Sequence, residues 1–263
     1  MILIRSIIFN ILFCINILLA AIISIPLWLL STKKQFMRFA RIWVNIQQLL
    51  LKYVTKTCLK VEGLEHIPPK GCIIAIKHQS SWDTIFFLTC LNDPIFIVKR
   101  SIFYIPLFGW YCFRLGMIGV DRNSKRIDMR NIIKRSQKTV EQNRQLVIYP
   151  EGTRRPPGAK TIYKKGIAHI YNSLSVPVIP IVVHAGLFWP HKGFMRYPGN
   201  FKVRILPPIP PGMPKEDFFA KLQDNMEYES KKLLLETIQE NPHLPLPISA
   251  KTTYEKLLEN HTP

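Results

Sequence analysis

The sequence predicts an α/β fold: a largely parallel central sheet with flanking helices, preceded by an N-terminal apolar membrane helix or helical hairpin. Two observations indicate this fold. Residues 6–32 contain no charged residue. From Cys58 onward, strand-like runs of aliphatic residues alternate with helix-like runs, a pattern typical of parallel sheets. The 263 residues, 48% of them hydrophobic, are enough for one large domain or two small ones, and they exclude a disordered chain.

The apolar segment, residues 6–32, is long enough to cross a bilayer, because about 20 helical residues span the hydrocarbon core. No small-residue cleavage site follows it, which argues against a secretory signal. Two asparagines and Pro26 argue against a plain span, so the segment can instead fold back against the amphipathic residues 36–54 as a hairpin. The remaining interpretation is a buried helix of a soluble core. We expect residues 1–54 to be membrane-anchoring helices.

Strand and helix runs alternate after this anchor. The predicted strands are residues 58–63, 72–78, 94–99, 116–121, 145–149, 176–184 and 201–206. The predicted helices are residues 83–91, 102–113, 125–143, 164–174 and 215–240. Two prolines in the strand at 176–184 favour a strand start or an edge strand. We therefore expect the α/β domain at residues 55–240 and a proline-containing C-terminal tail at residues 241–263.

Positive charge dominates the sequence, with 36 Lys and Arg against 17 Asp and Glu and a net charge of +19. The excess lies between residues 33 and 212 and indicates an anionic partner: nucleic acid, an anionic membrane or a phosphorylated substrate. More basic residues follow the apolar segment than precede it, which places the rest of the chain on the cytoplasmic side. The five cysteines form no CxxC, so we expect reduced thiols without a disulfide scaffold or zinc site.

The first motif, His78–Asp83 (HQSSWD), lies where a predicted strand ends and a helix begins, at the edge of an open α/β sheet where ligands bind. Across such a turn Asp83 can meet His78, fix the imidazole tautomer and support its protonated form. No serine nucleophile is evident, so the pair favours direct activation of a substrate hydroxyl. The alternative is an aspartate that caps the helix beside an unrelated histidine.

A second motif, Tyr149–Arg155 (YPEGTRR), follows another predicted strand. Gly152 permits unusual backbone angles, and exposed amides together with Arg154 can bind a phosphate group; the alternative is an ordinary turn with solvated arginines. Two further motifs, residues 119–122 (GVDR) and 176–180 (VPVIP), are by themselves compatible with a surface turn and a structural strand. Dinucleotide, P-loop, nucleophile-elbow and zinc-helix motifs are absent from the sequence, and we expect no metal site.

In this order, the four motifs resemble those of the glycerolipid acyltransferase superfamily, in particular the bacterial 1-acyl-sn-glycerol-3-phosphate acyltransferases. The resemblance covers residues 58–212, and an N-terminal membrane segment is also typical of the family. The matching positions are His78 and Asp83 of the His-x4-Asp motif, Gly119, Asp121 and Arg122, Pro150 to Arg154, Lys164 and Gly166, and Val176 and Pro177. One departure lies in the motif at residues 119–122, where Ile118-Gly119-Val120 replaces an apolar-aromatic-isoleucine run.

The resemblance implies transfer of a fatty acyl group from acyl-CoA or acyl carrier protein to the sn-2 hydroxyl of lysophosphatidic acid, giving phosphatidic acid in phospholipid biosynthesis. It implies His78 as the base, oriented by Asp83, with no acyl-enzyme and no cofactor beyond the acyl donor. The implied substrate-binding residues are Glu151, Gly152, Thr153, Arg154, Arg122 and Lys164. The expected partners are membrane lipids and not nucleic acid. The expected location is the bacterial inner membrane, with the catalytic domain facing the cytoplasm.

Three other functions remain open from the sequence. A sibling acyltransferase would use the same catalytic pair on glycerol-3-phosphate, another lysophospholipid or an ornithine lipid. A non-enzymatic basic protein that binds lipid at the membrane surface would account for the charge and the anchor, but not for four ordered motifs. A nucleic-acid binder would account for the charge alone, and the membrane segment argues against it.

Overall fold

The computed structural model describes residues 1–105, 108–121 and 128–259. Within these ranges the strands are β1 (Thr57–Glu62), β2 (Cys72–Ile76), β3 (Pro94–Lys99), β4 (Ile118–Val120), β5 (Gln145–Ile148), β6 (Val178–Val183) and β7 (Gly199–Ile205). They form one sheet in the order β1-β7-β6-β2-β5-β3-β4, in which every described pair is parallel except β6 with β7. The predicted α/β class with a largely parallel sheet is confirmed.

The three central strands, β6, β2 and β5, are buried at every position. Their sequences, VIPIVV, CIIAI and QLVI, lack the apolar–polar alternation of a strand with one wet face, so both faces of the sheet have to be covered. The flanking helices supply this cover. Since β2 and β5 are parallel neighbours, their carboxyl ends meet at one edge of the sheet, and two of the predicted motifs follow directly.

The described residues also form α-helices along the whole chain. These are α1 (Ile2–Leu30), α2 (Lys33–Leu50), α3 (Trp82–Cys90), α4 (Phe108–Leu115), α5 (Met129–Glu141), α6 (Gly166–Leu174), α7 (Ala185–Phe188), α8 (Lys215–Glu240) and α9 (Ile248–Glu259). A π-helical turn, Leu51–Thr55, extends α2, and a 3₁₀-helix, Arg100–Tyr104, precedes α4, so the predicted helix at 102–113 is in two pieces. The first predicted residues of α5, 125–127, lie outside the described residues.

The helices α1 and α2 form a hairpin against the α/β domain, as one of the sequence interpretations predicts. A capping box between Thr32 and Gln35 begins α2 directly after α1 ends. Inside the hairpin, Gln47 Nε2 donates a hydrogen bond to Asn16 Oδ1 at 2.8 Å. Pro26 lies within α1 and does not end it. Asn16, one of the residues that argue against a plain span, therefore has a hydrogen-bonding partner on α2.

Most of the apolar surface of α1 is not covered by the rest of the chain. The helix is long and apolar enough to cross a membrane, and 11% of its 18-residue apolar window is buried. The core helix of a soluble protein is mostly buried, so that interpretation does not fit α1. An apolar surface of this length indicates association with a membrane.

The C-terminal residues differ from the predicted tail, because residues 241–263 include α9. Ala250 of this helix is fully buried, and Ser249 and Thr253 donate hydrogen bonds to backbone carbonyls of the loop between β5 and α6. At Gly158 in that loop, a Cβ would lie 2.6 Å from the Ala250 Cα, so only glycine permits this approach. The residues just before α9 are rich in proline, and the apolar face of α9 is short. The sequence pattern therefore predicts a tail and not a helix here.

The prolines near β6 also differ from expectation. Pro177 precedes β6, as predicted for a strand start, but Pro180 lies inside this central strand. The strand tolerates a residue without an N–H because β7 pairs with β6 only from Ile181 onward. The carbonyl of Pro180 still accepts a hydrogen bond from the Leu206 N–H at 2.9 Å.

Ala250→Leu should destabilise the protein, because the added side-chain atoms overpack the contact between α9 and Gly158. Overpacking of this kind costs about 1–3 kcal/mol of unfolding free energy. The matched control is Thr252→Leu on the exposed side of the same helix. Denaturant unfolding in detergent measures both variants, and equal unfolding free energies would show that α9 does not dock on the loop.

Candidate active site

Two loops at the carboxyl edge of the sheet form the candidate site. The first, residues 77–81, joins β2 to α3, and the second, residues 149–165, joins β5 to α6. Because β2 and β5 are parallel neighbours, both loops leave the sheet at the same edge. The loops are also joined directly, since the Arg155 N–H donates a hydrogen bond to the His78 carbonyl oxygen at 2.8 Å.

His78 and Asp83 meet at this edge. His78 Nδ1 lies 3.2 Å from Asp83 Oδ2, and the same oxygen accepts hydrogen bonds from the backbone N–H groups of Gln79 and Ser80 at 2.6 and 2.8 Å. Asp83 is fully buried in the first turn of α3, where the helix dipole also favours a carboxylate. The two sequence interpretations therefore coexist, because one carboxylate orders the turn and contacts the imidazole.

The ring of Tyr149 packs against the imidazole of His78 and fixes the orientation of its plane. Its ring stacks on that of His78 with centroids 4.1 Å apart, and its hydroxyl donates a hydrogen bond to the Asp83 carbonyl oxygen at 3.0 Å. Burial raises the pKa of Tyr149 well above its ordinary value, so the hydroxyl remains a donor. With the His78 Nδ1–H directed at Asp83, Nε2 has a lone pair that can accept a proton. The sequence motif contains Tyr149 but does not indicate this role.

Glu151 joins the backbone of the first loop to α8. Its Oε2 accepts the His78 N–H at 3.1 Å, and its Oε1 lies 3.5 Å from Lys77 Nζ. Lys77 also pairs with Glu227 on α8 at 2.5 Å, and the Tyr163 hydroxyl donates to Glu227 at 2.9 Å. Burial raises the pKa of Glu151 to about 7, although Lys77 acts in the opposite direction. Both oxygens of Glu151 thus contact groups of the protein, and the residue maintains the conformation of the loop.

The outer part of the second loop presents polar groups. Gly152 has a φ of +67°, in the left-handed region that favours glycine. Arg154 Nη1 donates a hydrogen bond to Ser81 Oγ at 2.9 Å, which places the guanidinium beside the first loop. Thr153 and Lys164 are exposed, and a backbone hydrogen bond from Lys164 to the start of the loop closes it. The guanidinium of Arg154 can therefore meet an anion close to His78.

Arg122, the remaining predicted binding residue, lies outside the described residues. Its neighbour Asp121 follows β4, and β5 and β3 separate β4 from β2 in the sheet. At a strand spacing of about 4.8 Å, β4 is roughly 14 Å from β2. A role for Arg122 at this site stays a prediction.

His184 is a second histidine close to the first loop, and it is buried. Its Nδ1 lies 3.1 Å from Gln79 Nε2, and its Nε2 lies 2.8 Å from the Ser230 carbonyl oxygen. Burial lowers the pKa of His184 to about 4, so this imidazole is neutral and both of its nitrogens are occupied. Among the residues with described positions, no three His, Cys, Asp or Glu side chains are arranged to hold a metal ion.

Two cavities flank the site and differ in chemistry. A polar cavity of about 330 Å³ lies beside α8, and its wall includes Lys77, Glu151 and Glu227. An apolar cavity of about 320 Å³ lies between the α1–α2 hairpin and α3, and it reaches Thr84, the residue next to Asp83. An apolar cavity that reaches the first turn of α3 is suited to an alkyl chain.

Comparison with known proteins identifies the segment that carries both loops. Residues 58–184 match the family model described as Acyltransferase. The matched segment is named the acyltransferase domain after this similarity. It contains the whole of the first and second loops, and therefore His78, Asp83 and Arg154.

Similar proteins with this domain share one name. The 1-acyl-sn-glycerol-3-phosphate acyltransferase of Pseudomonas aeruginosa is 35% identical over 166 residues, which are 63% of this chain and 64% of that protein. The protein of that name from Saccharomyces cerevisiae is 32% identical over 71% of this chain and 63% of its own length. The matched acyltransferase region thus spans less than two thirds of each of these relatives.

A solved structure extends the similarity beyond the acyltransferase domain. The crystal structure of the 1-acyl-sn-glycerophosphate (LPA) acyltransferase of Thermotoga maritima matches with a TM-score of 0.73 and 21% sequence identity. The match covers 89% of this chain and 99% of that chain. The two proteins therefore share a fold.

The acyltransferase domain should show a pH-dependent stability that originates at Glu151. Burial raises its pKa from 4.5 to about 7, so between these values the folded protein holds a proton that the unfolded chain releases. The contribution of Glu151 to the unfolding free energy should therefore fall as pH rises through this window and level off above it. Glu151→Gln should remove this contribution, as measured by denaturant unfolding in detergent from pH 5 to 8.

The matched control for this measurement is Glu65→Gln, which changes an exposed glutamate. It should leave the pH dependence of the wild type in place. A wild type and a Glu151→Gln variant whose unfolding free energies differ by the same amount at every pH would contradict the assignment.

Proposed function

We propose that this protein transfers a fatty acyl group from a thioester donor, acyl-CoA or acyl carrier protein, to the sn-2 hydroxyl of 1-acyl-sn-glycerol-3-phosphate. The product is phosphatidic acid. The observation that carries the proposal is the contact between His78 and Asp83 beside Arg154, within the acyltransferase domain. The shared name of the relatives supports the choice of acceptor.

His78 acts as the general base in the proposed reaction. Asp83 holds the Nδ1–H, and Nε2 takes the proton of the sn-2 hydroxyl as its oxygen attacks the thioester carbonyl. The carbon–sulfur bond then breaks, and the leaving thiolate receives the proton from His78. The acyl group passes directly to the acceptor, so the reaction needs neither an acyl-enzyme nor a cofactor beyond the donor. A positioned base of this kind contributes about 10²–10⁴-fold to the rate.

Arg154 binds the phosphate of the acceptor in this proposal. Its guanidinium lies beside the first loop through Ser81 and offers several charge-assisted hydrogen bonds to one phosphate. Glu151, Gly152 and Thr153 give the loop its shape. Lys164 and Arg122 are the further candidates for contact with the substrate.

The apolar cavity takes an acyl chain. It extends from the residue next to Asp83 to the α1–α2 hairpin, so a chain in it remains close to the reacting groups. The basic residues that follow α1 favour an anionic cytoplasmic leaflet. We therefore place the enzyme at a bacterial inner membrane with its catalytic domain facing the cytoplasm.

His78→Ala should abolish acyl transfer, and Asp83→Asn should lower kcat strongly because an amide no longer supports the imidazolium. Both variants should remain bound to the membrane. The assay follows transfer from a labelled donor to a panel of acceptors in detergent, with His243→Ala, an exposed histidine outside the two loops, as the matched control. If His78→Ala keeps more than about a tenth of the wild-type rate, His78 is not the base. A preference for glycerol-3-phosphate, another lysophospholipid or an ornithine lipid would replace the proposed acceptor.

Ala21→Phe should reduce activity with long acyl chains more than with short ones, because Ala21 lines the apolar cavity and the larger ring fills part of it. Loss of contacts worth a few methylene groups lowers activity by about tenfold or more. The matched control is Leu19→Phe, which lies on the exposed side of α1 and does not line the cavity. Chain length is varied in the donor and in the acceptor separately. Equal losses for all chain lengths would show that the cavity does not hold an acyl chain.

A further inference from the structure

The loop between α7 and β7, residues 189–198, connects α1 to the first loop of the site. Ser80 Oγ donates a hydrogen bond to the Trp189 carbonyl oxygen at 2.7 Å. The buried ring of Trp189 makes edge contacts with Phe9 and Phe13 of α1, with centroids 5.2 Å apart in both pairs. One residue, Trp189, is thus in contact with both the membrane-associated helix and the turn that holds His78.

The far side of this loop is also bound to α1. The Arg196 N–H donates to Ser6 Oγ at 2.9 Å, and its guanidinium lies 4.6 Å from the centroid of the Trp189 ring. Asn10 Nδ2 donates to the Phe194 carbonyl oxygen at 2.8 Å. Both ends of the segment 190–194, in which residues 191–194 are exposed, are therefore fixed in position relative to the apolar helix.

The tip of the segment carries a histidine and a lysine, both exposed. His191 follows Trp189 by two residues, and the Trp189 carbonyl oxygen binds Ser80 while Arg154 binds the adjacent Ser81. Partial burial, and to a smaller extent Arg154, His78 and Lys192, lower the pKa of His191. Lys192 forms no ion pair with any residue that the structure describes. Gly193 has a φ of +131°, and the turn at this glycine lets the tip project from the surface. Arg154 and Lys192 thus lie on two separate loops that both bind the turn at Ser80 and Ser81.

We propose that His191 and Lys192 complete the acceptor site by binding its phosphate monoester together with Arg154. The inference deepens the proposed function and rests on it. A phosphate monoester carries up to two negative charges and three strong acceptor oxygens, so one guanidinium leaves part of its charge and several of its acceptors without a partner. His191 and Lys192 offer the missing donors from the loop between α7 and β7.

The same placement explains why the segment is bound to α1. A lysophospholipid at the membrane surface has its acyl chain in the bilayer and its phosphate at the interface. The hydrogen bonds to Ser6 and Asn10 hold the cationic tip at the level of the apolar helix, where such a phosphate lies. Phe194, which is half exposed beside the tip, adds an apolar ring of the type that interfacial segments bury at the boundary between headgroups and acyl chains.

Lys192→Met tests the proposal with a short-chain 1-acyl-glycerol-3-phosphate that is soluble without vesicles or micelles. We expect the KM for this acceptor to rise about tenfold while kcat changes by less than about twofold, because the lost contact serves binding. His191→Gln should retain more affinity than His191→Ala, since glutamine still donates a hydrogen bond. Arg154→Ala should raise the KM by at least as much as Lys192→Met. The matched control is Lys232→Met, an exposed lysine on α8 that should leave KM unchanged.

A second measurement separates the acceptor phosphate from the phosphates of bulk lipid. The same variants are assayed on vesicles of phosphatidylcholine, with and without phosphatidylglycerol. A KM increase for Lys192→Met that occurs only on vesicles with phosphatidylglycerol would overturn the proposal, because Lys192 would then contact bulk anionic lipid. An unchanged KM in every assay would overturn it as well.

Calorimetric titration of the short-chain acceptor distinguishes failure of this proposal from failure of the proposed function. The titration needs no turnover, and the Kd should rise about tenfold in Lys192→Met. A wild type that binds the acceptor but does not acylate it would refute the proposed function alone. A wild type that acylates the acceptor, with Lys192→Met equal to it in KM and Kd, would refute the role of Lys192 alone.

Discussion

One carboxylate oxygen, Asp83 Oδ2, maintains the geometry on which the rest of the site depends. It accepts hydrogen bonds from His78 Nδ1–H and from the N–H groups of Gln79 and Ser80. These bonds are charge-assisted and buried, so each is stronger than its counterpart in water, and loss of the donors would leave a buried charge without compensation. The same oxygen therefore determines both the orientation of the imidazole and the shape of the turn between β2 and α3.

Glu151 extends this dependence to the second loop and to α8. A buried carboxylate costs free energy unless a positive charge accompanies it, and Lys77 supplies that charge between Glu151 and Glu227. The arrangement ties the backbone of His78 to a helix 150 residues further along the chain. The groups in this network bind one another. The groups that can contact a ligand are therefore Arg154 and the other polar groups at the outer surface.

The α1–α2 hairpin connects this chemistry to the lipid phase. The side of α1 that packs against α2 lines the apolar cavity, while most of its surface remains uncovered. Trp189 packs on α1, and its carbonyl oxygen accepts a hydrogen bond from Ser80, so contacts within the protein set the position of the site relative to α1. Polar groups gather at the outer edge of the site and apolar ones toward the hairpin, which is the polarity of a lysophospholipid.

The sequence by itself determined the fold class and most of the strands and helices, and it offered the pairing of His78 with Asp83 as one of two interpretations of the turn. Those features are local. A strand run that is fully apolar predicts a sheet covered on both faces, and a spacing of five residues across one turn allows the side chains of His78 and Asp83 to meet. Tertiary structure alone decided that Glu227 pairs with Lys77, that Trp189 binds Ser80, and that α9 docks where a tail is predicted. These contacts join residues that are far apart in the chain, so no periodicity or spacing in the sequence predicts them. Only the packing of the sheet, the hairpin and α8 brings their side chains together.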